Sequence, residues 1–204
     1  MFERRTVLSG GLATLLVSCT RSPAKAEPVA ATAQAFKLIA AARSQVGVTL
    51  AYDPGYAVLA YPGGDIDPSR GVCTDVVIRA YRDALGIDLQ RAVHEDMAAA
   101  FARYPRRWAL SRPDRSIDHR RVPNLETFWT RQGARLALPA DDEGWRPGDI
   151  FTSLVDGNLP HTGIVSDRLS ALGEPMALHN IGAGAQEESL SRVGRLTGRY
   201  RWQV

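Results

Sequence analysis

The chain has 204 residues, 45% of them apolar and 23% charged, which is enough for one domain with a full hydrophobic core and short for two. Its formal net charge of +3 comes from 23 arginines, Lys25 and Lys37 set among 22 acids. Basic residues so mixed with acids make no nucleic-acid stripe, and no nucleic-acid partner is expected.

Residues 1–26 read as an export signal rather than as structure. Paired Arg4 and Arg5 precede an apolar run from Val7 to Val17, too short to span a bilayer. "ERRTVLSG" resembles a twin-arginine signal, with Val7 where Phe is usual. Two endings compete. "LVSC" (residues 16–19) resembles a lipobox, in which Cys19 is lipidated and anchors the protein to a membrane. "AKA" (residues 24–26) resembles an ordinary signal-peptidase site. Either ending takes Cys19 out of play and leaves Cys73 as the one thiol of an exported, periplasmic domain. Such a leftover cysteine is either buried and inert or retained for its reactivity.

Residues 27–34 read as a tether and 35–204 as the domain. Phe36, Leu38, Ile39 and Ala42 recur at helical spacing over residues 35–46, and Gly47 ends that pattern. Residues 48–65 read as extended chain, broken at Pro54-Gly55 and closed by Pro62-Gly63-Gly64. Cys73 then opens a helix with Val77, Ala80, Tyr81, Ala84 and Leu85 on one face and Gly86 just past its end. Asp88 caps the next helix, whose stripe is Leu89, Val93, Met97, Ala100, Phe101 and Tyr104, and Pro105 stops it. Residues 106–123 are an Arg-rich loop, followed by a short helix capped by Asn124. The last third changes period. "GDIFTSL", "HTGIVSD", "MALHNI" and "GRLTGRYRW" are strands split by turn residues at 156–158, 173–175, 182 and 184. Helices first and strands last predict an α+β domain with an antiparallel sheet.

A thiol at a helix N-terminus faces unpaired backbone N–H groups and the positive end of the macrodipole, which predicts a pKa below the reference of about 8.5. The same N–H groups suit the oxyanion formed when a thiolate attacks a carbonyl. A nucleophilic cysteine also needs a base, and the base needs an orienting partner. His161 opens a β-branched run after a turn, and His179 lies eighteen residues on, the distance of one antiparallel hairpin. Asn180 is the rival orienter, since neighbours on a strand face opposite ways. Zinc on Cys73, His161 and His179 is chemically suitable but lacks the close ligand spacing usual for that metal. His94 reads as a half-buried helix histidine. His119, Arg120 and Arg121 read either as a loop held by local ion pairs or as a carboxylate-binding rim.

"YPGGD" (61–65), "GVCTDVV" (71–77), "WRPGDIF" (145–151), "HTGIV" (161–165) and "ALHNIGAG" (177–184) occur in the order and types of the NlpC-type cell-wall hydrolases of the papain-like cysteine peptidase group, which this chain resembles. As a whole it looks most like a bacterial branch catalogued only as a domain of unknown function. The resemblance implies a papain-like fold with the nucleophile helix packed on an antiparallel sheet. It further implies Cys73 as nucleophile, His161 as base, His179 as orienter, and Tyr61 lining the substrate groove. Thr74, Asp75, Asn180, His119, Arg120 and Arg121 complete the candidate substrate-contacting set. No metal or organic cofactor is called for. The implied partners are peptidoglycan stem peptides or another envelope substrate, cleaved at an amide. An amidase or acyltransferase on another envelope substrate and a non-catalytic envelope-binding module on the same fold are the alternatives. Two departures stand out. Cys-Thr-Asp replaces the usual Cys-Ser-Gly, placing Asp75 where it favours the helix dipole but opposes a thiolate. Residues 93–125 have no counterpart in the common pattern.

Overall fold

The computed structural model describes Met1 and residues 31–204; the export signal, Cys19 and residues 27–30 of the tether lie outside the described residues. The first helix begins earlier than its apolar pattern predicts. The Thr32 hydroxyl accepts the Ala35 N–H at 3.0 Å, so α1 runs Ala33–Arg43 and takes in the end of the expected tether. Only Ala51–Tyr52 (β1) of the expected extended stretch is strand, and it pairs in parallel with Arg70–Gly71 (β2). The rest of 48–65 is irregular, held from within. Asp65, for example, receives Arg79 through two guanidinium nitrogens at 2.9 and 3.1 Å.

Helix α2 spans Cys73–Leu85 and ends where expected, with Gly86 in the left-handed region at φ 66°. Helix α3, Leu89–Ala100, starts under the Asp88 cap and buries Leu89, Val93 and Met97. After short 3-10 turns at Phe101–Arg103 and Asp118–Arg120 comes α4, Val122–Arg131. The helix begins two residues before Asn124, with proline in its first turn, so Asn124 is not the cap. Its amide instead donates to the Asp118 carbonyl at 3.1 Å and ties the helix to the preceding turn.

The six-stranded sheet comprises β3 (Arg135–Leu136), β4 (Ile150–Val155), β5 (Leu159–Leu169), β6 (Pro175–Asn180), β7 (Ala185–Ser189) and β8 (Arg195–Tyr200). Its order is β3-β8-β4-β5-β6-β7, antiparallel throughout. Asp156 and Gly157, both at positive φ, make the tight β4–β5 turn. Strand alternation divides two cores. Ile150, Ile164 and Leu178 pack with Leu38, Val77 and Tyr81 of the helices, while Phe151, Val165 and Ala177 pack with Trp145 and Val193 on the other face. The buried Asp149 fixes the entry to β4, accepting Arg199 at 2.7 Å and Arg201 at 2.6 Å. The molecule is thus a mixed α+β domain of four helices and an antiparallel sheet.

Candidate active site

The start of α2 breaks the usual capping rule. Its N-cap is Val72, which has no side-chain oxygen to offer, and the Cys73 and Thr74 amides find no backbone acceptor among the described residues and turn to the Cys73 sulfur instead. Asp75 closes only the outer part of the cap by taking the Val72 N–H at 2.7 Å. Cys73 is buried, with 3% of its surface exposed, and the backbone amides of Thr162, Thr74 and Cys73 itself all draw its pKa down. Burial outweighs them. The thiol is pushed up to about 12, with the Asp75 charge adding to the rise, so the expected low-pKa thiolate is corrected to a neutral resting thiol.

The amide from Thr162 places the sulfur beside β5, one residue from His161. The imidazole Nε2 of His161 lies 3.1 Å from Nδ1 of His179, with the two rings at 82°. That contact leaves Nδ1 of His161 as the ring nitrogen without a partner, and among the described residues no hydrogen bond joins it to Cys73. Asn180 faces elsewhere, donating to the Gly71 carbonyl at 2.9 Å and accepting the Gly182 N–H at 3.1 Å. It ties β6 to β2 and does not touch His161. Burial, followed by the neighbouring His179, pushes His161 down to about 3, and burial also lowers His179. Both rings are neutral at pH 7. For Nδ1 of His161 to accept a proton, its Nε2 must carry hydrogen and donate to His179. In that tautomer His179 Nε2–H is buried with no partner among the described residues.

Gly163 makes this pairing sterically feasible. A Cβ on that residue would stand 2.8 Å from Cβ of His179, 2.8 Å from the Phe151 ring and 2.5 Å from the Leu178 carbonyl. The glycine of "HTGIV" therefore marks the point where β6 comes close enough to set one imidazole against the other.

Two hollows flank the pair. A cleft of about 540 Å³ opens at Cys73, and a smaller one of about 170 Å³ opens at His161; Tyr52 and Pro160 line both. A chain laid across Tyr52 would therefore pass the thiol and the imidazole in turn. Burial first, then the nearby Cys73 sulfur as it ionises and the Asp75 charge, push the Tyr52 phenol up to about 12.

Several expected contacts fall elsewhere. Tyr61 does not line either hollow; it packs edge-on against His94 at 5.1 Å under Arg115. Tyr52 takes the place expected for it. Arg120 lines the cleft but is not a free fork. It holds the buried Asp75 through two nitrogens at 2.9 Å and donates to the Asp53 and Gly55 carbonyls. Asp75 is thereby committed to structure, and Thr74 donates to the Arg120 carbonyl. His119 is buried and held down to about 4, chiefly by burial, so it forms no rim. Of that trio, Arg121 alone keeps donors toward the cleft. Its Nη1 meets Asp118 at 3.0 Å while the guanidinium sits over the Trp108 ring at 4.1 Å. Arg107, Trp108 and Pro160 carried no motif that singled them out, and Gly163 stood within "HTGIV" without a role assigned to it.

Profile comparison matches residues 39–202 to a family described as "Domain of unknown function (DUF1287)". The chain is also similar to "Uncharacterized protein YijF" of Escherichia coli (strain K12), 52% identical over 163 residues that cover 80% of this chain and 79% of that one.

Proposed function

The chain belongs to the DUF1287 family, and we propose that it is an exported cysteine hydrolase of papain-like, NlpC type that cleaves an amide bond through a thioester, with peptidoglycan stem peptides as the substrate class. The observation that carries this reading is the His161–His179 contact at 3.1 Å, on the strand whose Thr162 amide meets the sulfur of Cys73. Cys73 Sγ attacks the substrate carbonyl as its proton passes to Nδ1 of His161. Neutral resting partners make this general-base attack rather than attack by a preformed ion pair. His179 accepts the Nε2 hydrogen of His161 and fixes the ring through the transfer. The Cys73 and Thr74 amides receive the oxyanion. His161 then returns the proton to the departing amine, leaving the acyl group on sulfur, and water activated by the same imidazole releases the acid.

The test is digestion of purified sacculi and soluble muropeptides by the full chain, read by mass spectrometry. New peptide termini, together with an acid-trapped acyl adduct on Cys73, are expected from the parent and from neither Cys73→Ala nor His161→Ala. Products that persist in Cys73→Ala would end the thiol mechanism. The buried, neutral thiol favours a second reading, a module that binds envelope peptides without turnover. Muropeptide binding unchanged by Cys73→Ala, with no product from the parent, would select it.

A further inference from the structure

Much of the lining of the Cys73 cleft comes from the stretch that the five motifs do not cover. Arg107, Trp108, Ile117, Arg121, Val122 and Pro123 line it, all from residues 93–125. The only charged side chains lining this cleft are three arginines, with no carboxylate among them. Their roles differ. Arg120 is neutralised by Asp75, its salt bridge buried on both sides. Arg121 gives one nitrogen to Asp118 and sets its guanidinium carbon over the Trp108 ring, 4.1 Å from the ring centre. Arg107 is exposed and has no ion-pair partner among the described residues.

We infer that the cleft selects a substrate carrying a carboxylate close to the scissile amide, held by Arg107 and Arg121 against Trp108. This rests on the hydrolase reading above and specifies its substrate. A planar guanidinium already held over an aromatic ring loses little freedom when it accepts a carboxylate, and it offers two parallel donors. An unpaired arginine beside it adds attraction that salt should weaken. The neighbouring cavity shares Tyr56 with the cleft and is lined by Arg112 and Arg115, with one carboxylate, Asp114, which accepts the Tyr56 hydroxyl. Arg107 and Arg121 are thus specificity-determining residues that touch substrate away from the reacting atoms.

The test compares alkylation of Cys73 in the full chain by iodoacetate and by iodoacetamide, which differ in charge and little in size. Each rate is taken relative to 2-mercaptoethanol. The parent is expected to favour iodoacetate by about tenfold over the free thiol's ratio, and the preference should shrink in high salt. Arg107→Gln and Arg121→Gln should each remove most of it. Lys37→Gln, an equal change in net charge at an exposed position of α1 outside the cleft lining, should leave it intact. Arg107→Lys should keep part of it, separating charge from fold. A ratio equal to that of the free thiol, or one indifferent to both cleft substitutions, would overturn the carboxylate subsite while leaving the hydrolase standing. Cys73 unreactive to both reagents would sink the hydrolase reading and this one with it.

Discussion

Cys73 and His161 are both neutral at rest for one reason, removal from water. Burial disfavours the thiolate and the imidazolium alike and outweighs the amides that face the sulfur. The kinetic consequence is specific. Alkylation of Cys73 by iodoacetamide should quicken by about tenfold per pH unit from pH 6 to 9, as the thiolate fraction does below its pKa. A rate flat across that range would mean a preformed thiolate–imidazolium pair. Arg120 bears on the same centre from behind. Truncation to alanine leaves the buried Asp75 carboxylate unpaired two residues from the sulfur. Arg120→Ala should therefore lower stability to urea by about 3–5 kcal/mol. A loss under 1 kcal/mol would show that solvent reaches Asp75.

Strands β5 and β6 form a hairpin whose geometry depends on one residue. Gly163→Ala puts a methyl into the space between Phe151, Leu178 and His179. Overpacking of this kind costs about 1–3 kcal/mol and pushes the strands apart. The expected outcome is a folded protein with turnover of wall peptides reduced at least tenfold and the coupling of the two histidine ring signals lost in NMR. Full activity would mean that His179 does not orient His161. The hairpin was legible in the sequence because β-branched runs and turn residues report local structure directly. So was α2, with its stripe and Gly86. The groove tyrosine was not. Tyr61 and Tyr52 both lie in turn-rich chain, and what separates them is the parallel contact of Ala51–Tyr52 with Arg70–Gly71, a non-local pairing without a periodic signature. Asn124 read as a cap because asparagine often is one, but the proline before it moved the helix start upstream. Strand β7, "AQEES", lacks the alternation that marks a half-buried strand, and β3 is too short to show any. Arg120 and Arg121 stand side by side, yet only the fold turns one to Asp75 and the other to Trp108.

For the molecule as a whole, the buried imidazoles set the acid side of the stability curve. His161 is held near 3 and His119 near 4, and His179 is lowered as well, all first by burial. An unfolded histidine titrates near 6.5, so between that value and the folded pKa the unfolded chain binds protons that the native chain refuses. Stability is therefore complete above about pH 6.5 and lost as pH falls, by up to about 1.4 kcal/mol per pH unit for each such ring. Urea midpoints at pH 7.5 and 5.0 should differ accordingly. Equal midpoints would require the rings to be solvated.

Strand β8 lies between β3 and β4, although it follows both in the chain. A ribosome-bound fragment that has emerged only as far as residue 190 contains the thiol helix and the histidine hairpin but not the inner strand that completes their sheet. Its β4 backbone is an open edge, and the two arginines that clamp Asp149 have yet to be made. The sheet that carries His161 and His179 is thus closed only once β8 has been translated.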